Sequence, residues 1–480
     1  MMKKILEDKN ISKIFVISAL FFGLIIMMLI PPFQVPDEAQ HFEKAYVISQ
    51  GKFNPENHDG KIGYYLSSEV VSTVEEYTQK VFGNRDEKIS YASVILDDRL
   101  PKDYGNYQFV NFSTASSNTA VHIVPAIGIV CGKAVAKITQ GGHASVVYLL
   151  YFARFANLMM YVILVGLAIK LSPILKKTML LVGIMPQSLF MAASVSYDSL
   201  MIAMSFISLG IIFKLIFDDQ YSLNIKNMIC LAVFATIYLV SKPIYLPIFL
   251  LLLFIPKNKF KDTKHFMKMA GIFCLMIFIG YLLTRIPGYF IKNVTTDVSN
   301  NGNNISLTGQ QIAYLKSHPM AFFKAVYVSF FGNLPYYIST MVATFGLIDT
   351  YVPQFICYLY LLLIIITGIV EMSKCSYEIS WAMRISSILC YVLSFLGIFF
   401  AMYLTWAPQE VGVGSDLITG VQGRYFIPAL FLPMMIFKNK VLCKNKYVNE
   451  VMEQYDSYFM AVAYAILMVC IMFIVIRFWI

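Results

Sequence analysis

Charge is scarce in this 480-residue chain: 14% of its residues are Asp, Glu, Lys or Arg, against 58% hydrophobic. Scarcity of charge on this scale excludes an ordinary soluble domain. Apolar runs near twenty residues recur along the chain instead, each long enough to cross a bilayer as a helix. No series of ten-residue alternating segments is present, so a transmembrane β-barrel is not supported. Cysteine is missing from the one long polar region, Pro31 to Asn118, and no metal-like Cys spacing occurs anywhere. Neither disulfides nor a thiolate metal site organises that region, and the cysteines elsewhere read as small apolar residues. No small-x-small site follows the first apolar run, Ile11 to Ile30, which therefore reads as an uncleaved first helix. No internal repeat is evident.

What charge there is sits in short loops. The net charge of +10 comes from clusters at Lys3/Lys4/Lys9/Lys13, Lys170/Lys176/Lys177, Lys257/Lys259/Lys261/Lys264/Lys268 and Lys438/Lys440/Lys444/Lys446. Lysines flanking apolar runs anchor loops in the cytoplasm, so no nucleic-acid partner is expected. Putting these clusters inside leaves the N-terminus cytoplasmic and residues 31–146 outside. The expected fold is an all-α polytopic membrane protein forming a single membrane domain, with external layer 31–146 and helix bundle 147–480. Within the layer, residues 119–138 carry His122, Pro125, Lys133 and Lys137, the mark of an interfacial helix.

Along the bundle, Val147–Ile169 carries Arg154 and Asn157 on one face. Leu175–Ala193 reads as a crossing that ends at Met185-Pro186-Gln187 and Ser194-Val195-Ser196-Tyr197-Asp198. Leu200–Phe217 returns. Met228–Ile255 is too long for one straight span and is broken by Ser241-Lys242-Pro243, which sets Lys242 at the outer face. Met267–Leu283, Phe355–Val370, Ile385–Leu404, a short span to Phe437 and Phe459–Ile476 complete about eleven crossings. Residues 291–309 form a polar outer loop, and Pro319–Phe345 is aromatic and broken.

The region after the first helix is the most unusual. Three prolines in Pro31-Pro32-Phe33-Gln34-Val35-Pro36 end that helix, and Asp37, Glu38 and His41 follow at the membrane surface. On this topology Asp37/Glu38/His41, Tyr197/Asp198, Lys242 and Arg424 share one face. Carboxylates and cations above an apolar chamber suit transfer chemistry at a lipid phosphate. One carboxylate takes a proton from an acceptor hydroxyl, and a cation, or a metal held by Asp37 and Glu38, stabilises the departing phosphate.

Each residue also has a plainer reading. Asp37 and Glu38 suit the N-terminus of a helix starting near Ala39, and Asp198 suits the cap of the Leu200 helix. His41 either ligates a metal, orients a carboxylate or pairs with a neighbour. Arg154 either pairs with an acid of the outer layer or anchors at the interface. Arg424 runs against the inside bias of basic residues, so it reads as functional or as a snorkelling side chain.

Three motifs stand in order on the same face: Pro36-Asp37-Glu38-x-x-His41, Met185-Pro186-Gln187…Ser194-x-Ser196-x-Asp198, and Gln422-Gly423-Arg424-Tyr425-Phe426-x-Pro428. Together they resemble the bacterial family catalogued as domain of unknown function 2142, from Pro31 to about Pro428. The acidic pair after the first span, the interfacial helix and the Arg-bearing second span resemble the wider GT-C class of membrane glycosyltransferases.

That resemblance implies a GT-C-like helix bundle in a bacterial plasma membrane with its site outside. It implies a polyprenyl-phosphate sugar as donor and an extracytoplasmic glycan or glycolipid as acceptor, in cell-envelope polysaccharide synthesis. Asp37 is then the base, Glu38 its alternate or a ligand of a divalent cation such as Mg or Mn, and Arg424 with Lys242 the phosphate holder. Gln187, Tyr197, Gln422 and Tyr425 come with the motifs, and Arg154 with the second span. Two other classes fit many spans with polar residues: a transporter of lipid-linked sugars, expected to show paired half-repeats, and a noncatalytic scaffold, which has no need of the acidic pair.

Overall fold

The computed structural model describes residues 8–81, 84, 86–97, 99, 106–260, 262–295, 306–439 and 446–480, the stretch 284–295 by its backbone alone. Lys3, Lys4, Lys261, Lys440 and Lys444 of the basic clusters, and residues 296–305 of the expected polar loop, lie outside the described residues.

The described residues are 72% helical. Eight helices among the described residues are long and apolar enough to cross a membrane: Ile11–Leu29, Thr119–Thr139, Val146–Leu171, Tyr197–Phe217, Thr263–Leu283, Gln354–Lys374, Trp381–Thr405 and Lys446–Phe478. It is a polytopic membrane protein. Tyr197–Phe217 is the central helix, buried over nearly its whole length. It packs along Val146–Leu171, which in turn packs against the first helix and Ile123–Thr139. The last contact depends on Gly128, where a Cβ would lie 2.5 Å from the Phe152 carbonyl oxygen. The first helix buries Phe15, Ala19, Phe22 and Ile26 and exposes Ile17, Phe21, Leu24 and Met28, one apolar stripe on each side.

Two features depart from a plain reading of the sequence. The expected crossing Leu175–Ala193 is built not from a single helix but from two short ones, Lys176–Gly183 and Pro186–Ala192. Leu175 adopts a left-handed φ of 57°, and Pro186, which has no amide to donate, starts the second helix. The interruption is tolerated because side chains satisfy the freed carbonyls: Tyr161 donates to Gly183 (2.8 Å), Tyr360 to Leu181 (2.7 Å) and Ser188 to Val182 (2.8 Å). The all-α reading also fails in the external layer. There Glu56–His58, Lys61–Ser67 and Tyr107–Asn111 form a three-stranded antiparallel sheet beside helices Glu38–Ser49 and Ser68–Lys80.

The break at Lys242 is where the sequence places it. Helix Ile225–Ser241 ends there, and Pro243–Phe254 continues as a 3₁₀ helix. The last helix ends beside the first: the Trp479 indole donates to the Leu29 carbonyl (2.8 Å), and Ile89 donates to Phe478 (3.0 Å). The chain therefore finishes at the same end of the bundle as the layer that follows the first helix.

Candidate functional site

The stretch after the first helix folds back on itself. Asp37 takes a left-handed φ of 64°, a conformation that Asp tolerates better than most residues. The helix that follows begins at Glu38, and the Asp37 side chain makes no capping bond. The turn sends two neighbouring carboxylates to different places.

Glu38 goes inward. It and Arg154 are both fully buried and meet through two parallel bonds, Nε to Oε1 at 2.8 Å and Nη2 to Oε2 at 2.6 Å. The Val195 amide donates to the same carboxylate at 3.0 Å. Arg154 also donates to the carbonyls of Ile30 (2.7 Å) and Pro31 (2.8 Å), which the prolines leave without helical partners. Of the two readings open for Arg154, pairing with an acid of the outer layer is the one realised. The pair fastens the first helix, the acidic turn and the Ser194–Ser196 segment together, and Asn157 donates to Ser194 on the same face (2.9 Å).

Asp37 goes outward, with its side chain about half exposed. Arg424 Nη2 donates to its Oδ2 at 2.8 Å, and Arg424 Nε lies 3.1 Å from Asp198 Oδ2. Lys242 Nζ donates to Asp198 Oδ1 at 2.5 Å. The four side chains thus form an alternating row, Asp37, Arg424, Asp198, Lys242, buried or largely buried at the last three members and open at the first. The Lys242 ammonium also sits between the faces of Tyr197 (4.7 Å) and Tyr425 (4.4 Å).

Local structure aims each group. Asp198 stands in the first turn of the central helix, capped by Ser196, whose hydroxyl accepts from the Asp198 amide; the cap expected of Asp198 belongs to Ser196. Lys242 projects from the proline break. Arg424 stands on a 3₁₀ turn, Gly423–Ala429, pressed against helix Leu334–Val342. Gly423 donates to Thr340 Oγ1 (2.8 Å), and a Cβ on it would meet the Tyr337 carbonyl oxygen at 1.8 Å. Tyr245 donates to the Tyr425 carbonyl (2.8 Å) and fixes the other side of that turn.

His41 pairs with a neighbour, His122, at 2.9 Å between ring nitrogens, and its ring meets Tyr197 edge-on at 4.7 Å. Burial pushes the His41 imidazole down to about 3; Asp198 opposes this, and Arg424 and Lys242 add to it. The ring is neutral at physiological pH. Gln187 is buried away from the row and accepts from the Thr344 amide (3.1 Å). Gln422 contributes its carbonyl to the Tyr425 amide (3.1 Å).

The structure therefore brings Asp37, Asp198, Lys242, Arg424, Tyr197 and Tyr425 together, with His41 behind Tyr197. It separates Glu38 and Gln187 from them. His122 is the partner that residue-type reasoning missed, since one histidine in an apolar stretch gives no sign of a mate eighty residues away. Among the described residues no three His, Cys, Asp or Glu side chains gather as a metal-holding group. The Glu38 oxygens face a guanidinium and the Asp37 carboxylate faces another, so the pair as placed does not fit a divalent cation.

These features define a polytopic membrane protein with a polar, ion-paired site at one end of its helix bundle. The chain belongs to the family described as predicted membrane protein, domain of unknown function 2142, whose profile matches residues 20–432 and so contains all three motifs. Neither the curated proteins nor the solved structures contain a match.

Proposed function

We propose that this protein is a membrane glycosyltransferase that moves a sugar from a polyprenyl-phosphate carrier to a glycan or glycolipid outside the cytoplasmic membrane. The observation that supports it most is the row itself. An accessible carboxylate is held beside two largely buried cations at the end of an apolar bundle, where a lipid-borne phosphate would arrive. The reading carries with it about eleven crossings and a cytoplasmic N-terminus.

Asp37 is the base. It takes the proton of the acceptor hydroxyl while that oxygen bonds to the anomeric carbon. The bond from that carbon to the carrier phosphate breaks, and the electron pair leaves on the phosphate oxygen. Arg424 and Lys242 hold that negative charge, and Asp198 holds the two cations. In the resting row the charges cancel, two acids against two bases. An incoming phosphate competes with Asp37 for Arg424, and because Asp37 is half exposed the exchange costs little. Donor binding thus frees the base beside the bond it must act on. Glu38, with Arg154, positions the turn. No step is routed through a metal.

The test is a glycan analysis of the cell envelope from a deletion strain carrying wild type, Asp37→Asn or Arg424→Ala. The reading expects one sugar to vanish on deletion and only wild type to restore it, with both variants stably made. Restoration by both variants would move the function to a transporter or scaffold.

A further inference from the structure

A cavity of about 550 Å³ lies behind the arginine helix, away from the ionic row. The end of the first helix at Met28, the short helix Tyr91–Ile95, the 140–145 turn and the start of helix Val146–Leu171 line it, and one side is open to solvent. Its size falls within the roughly 300–1,000 Å³ of small-molecule sites. Three tyrosines, Tyr91, Tyr148 and Tyr151, face it with Gln140 and His143.

The polar groups of this wall are open to solvent: Tyr91, Gln140 and His143 are exposed, and Tyr148 and Tyr151 partly so, unlike fully buried tyrosines such as Tyr161 and Tyr360, whose hydroxyls bond the Gly183 and Leu181 carbonyls. Among the described residues, no hydrogen bond to protein holds the hydroxyls of Tyr91, Tyr148 or Tyr151, the Gln140 amide or the His143 ring. Five polar groups thus converge on one space between aromatic rings, and none is satisfied from within. Asp97, also on the wall, is already taken by Arg99 and Tyr77.

We propose that this cavity binds a saccharide. A sugar ring offers apolar C–H faces to the aromatic walls and hydroxyls to the phenols, the amide and the imidazole. An acyl chain would leave those groups unpaired, at about 1–3 kcal/mol for each one buried. Among the described residues no lysine or arginine lines the cavity, and nearby Arg99 is committed to Asp97 and Glu76, so an anion has no cation to meet there. The cavity communicates with the other site through one side chain: the Tyr151 ring lies 5.4 Å from the Arg154 guanidinium that holds Glu38, the neighbour of Asp37. If the transferase reading holds, this is where the acceptor glycan docks; that assignment rests on the reading, whereas saccharide binding does not.

The experiment uses the full chain in lipid nanodiscs and, as probe, size-fractionated oligosaccharides released from the envelope of the source organism. Binding is read by saturation-transfer NMR and calorimetry. Wild type is expected to bind a fraction at millimolar concentration or better. Tyr148→Ala and the exposed Gln140→Ala should each weaken it at least about tenfold, worth 1.4 kcal/mol, while Lys374→Ala, at an ion pair remote from the cavity, binds as wild type. No binding of any fraction overturns the proposal, as does equal binding by both cavity variants with unchanged unfolding. Native mass spectrometry supplies the other arm: a phospholipid retained by wild type and lost from Tyr148→Ala overturns it in favour of lipid. Saccharide bound by wild type in a Tyr148-dependent way, with no transfer by wild type, would retain this site and reject the transferase.

Discussion

Replacing Arg154 by methionine should unfold the protein far more readily than any change to Asp37. Both members of the Glu38–Arg154 pair are inaccessible to solvent, and the guanidinium makes close bonds to both Glu38 oxygens and to the Ile30 and Pro31 carbonyls. Methionine matches the length of the stem but leaves the carboxylate with the Val195 amide alone. Stranding one member of a buried pair costs about 3–5 kcal/mol. That corresponds to roughly two to four powers of ten in the folded-to-unfolded ratio. The double variant Glu38→Gln/Arg154→Met strands no charge and should recover much of the loss. Asp37→Asn removes a half-exposed partner and should stay within about 1 kcal/mol of wild type. Unfolding by heat or denaturant in nanodiscs, followed by tryptophan fluorescence, measures all three. The assignment of Glu38 to positioning fails if Arg154→Met is as stable as wild type. It also fails if Glu38→Gln abolishes activity at unchanged stability.

Other outcomes follow from the same geometry. Gly423→Ala forces a Cβ against backbone rather than a flexible side chain, so it should cost about 1–3 kcal/mol or more and displace Arg424, seen as low yield in membranes together with lost activity. Arg424→Lys keeps the charge but cannot serve Asp37 and Asp198 at once, and should reduce turnover by roughly a hundredfold. The His41 imidazole is held down to about 3 when folded and protonates near 6.5 when unfolded. The unfolded chain therefore takes the proton first, and stability present above pH 6.5 is lost as the pH falls toward 3. Relative to His41→Gln, wild type should lose up to about 1.4 kcal/mol per pH unit below 6; parallel unfolding curves for the two proteins would contradict a buried neutral ring.

Much of the site is legible in the sequence because its parts announce themselves by position. Proline breaks place Asp37 and Lys242 at helix ends, and Arg424 stands where basic residues are rare. Once the loops are given sides, those groups and Asp198 fall on one face. The different fates of Asp37 and Glu38 are not legible. Two adjacent acids look alike until one residue takes a positive φ and an arginine more than a hundred positions later claims the second. The helix count is blurred for a related reason. The carbonyls freed at Gly183 and Leu181 are satisfied by tyrosines distant in sequence, so the break inside the Leu175–Ala193 crossing leaves no mark in an apolar run. The small sheet of the outer layer escaped because its strands are short and its third member lies forty residues beyond the second.

The central claim is that Asp37 removes the acceptor proton while Arg424 holds the carrier phosphate. It is tested most directly by supplying purified protein in nanodiscs with polyprenyl-phosphate sugars radiolabelled in the sugar, together with envelope glycan acceptor. The account predicts label transferred by wild type and release of polyprenyl phosphate in equal amount. Transfer should fall about 100- to 10,000-fold in Asp37→Asn, with donor binding retained there and lost in Arg424→Ala. Undiminished transfer by Asp37→Asn, or donor bound and never consumed by wild type, would contradict it.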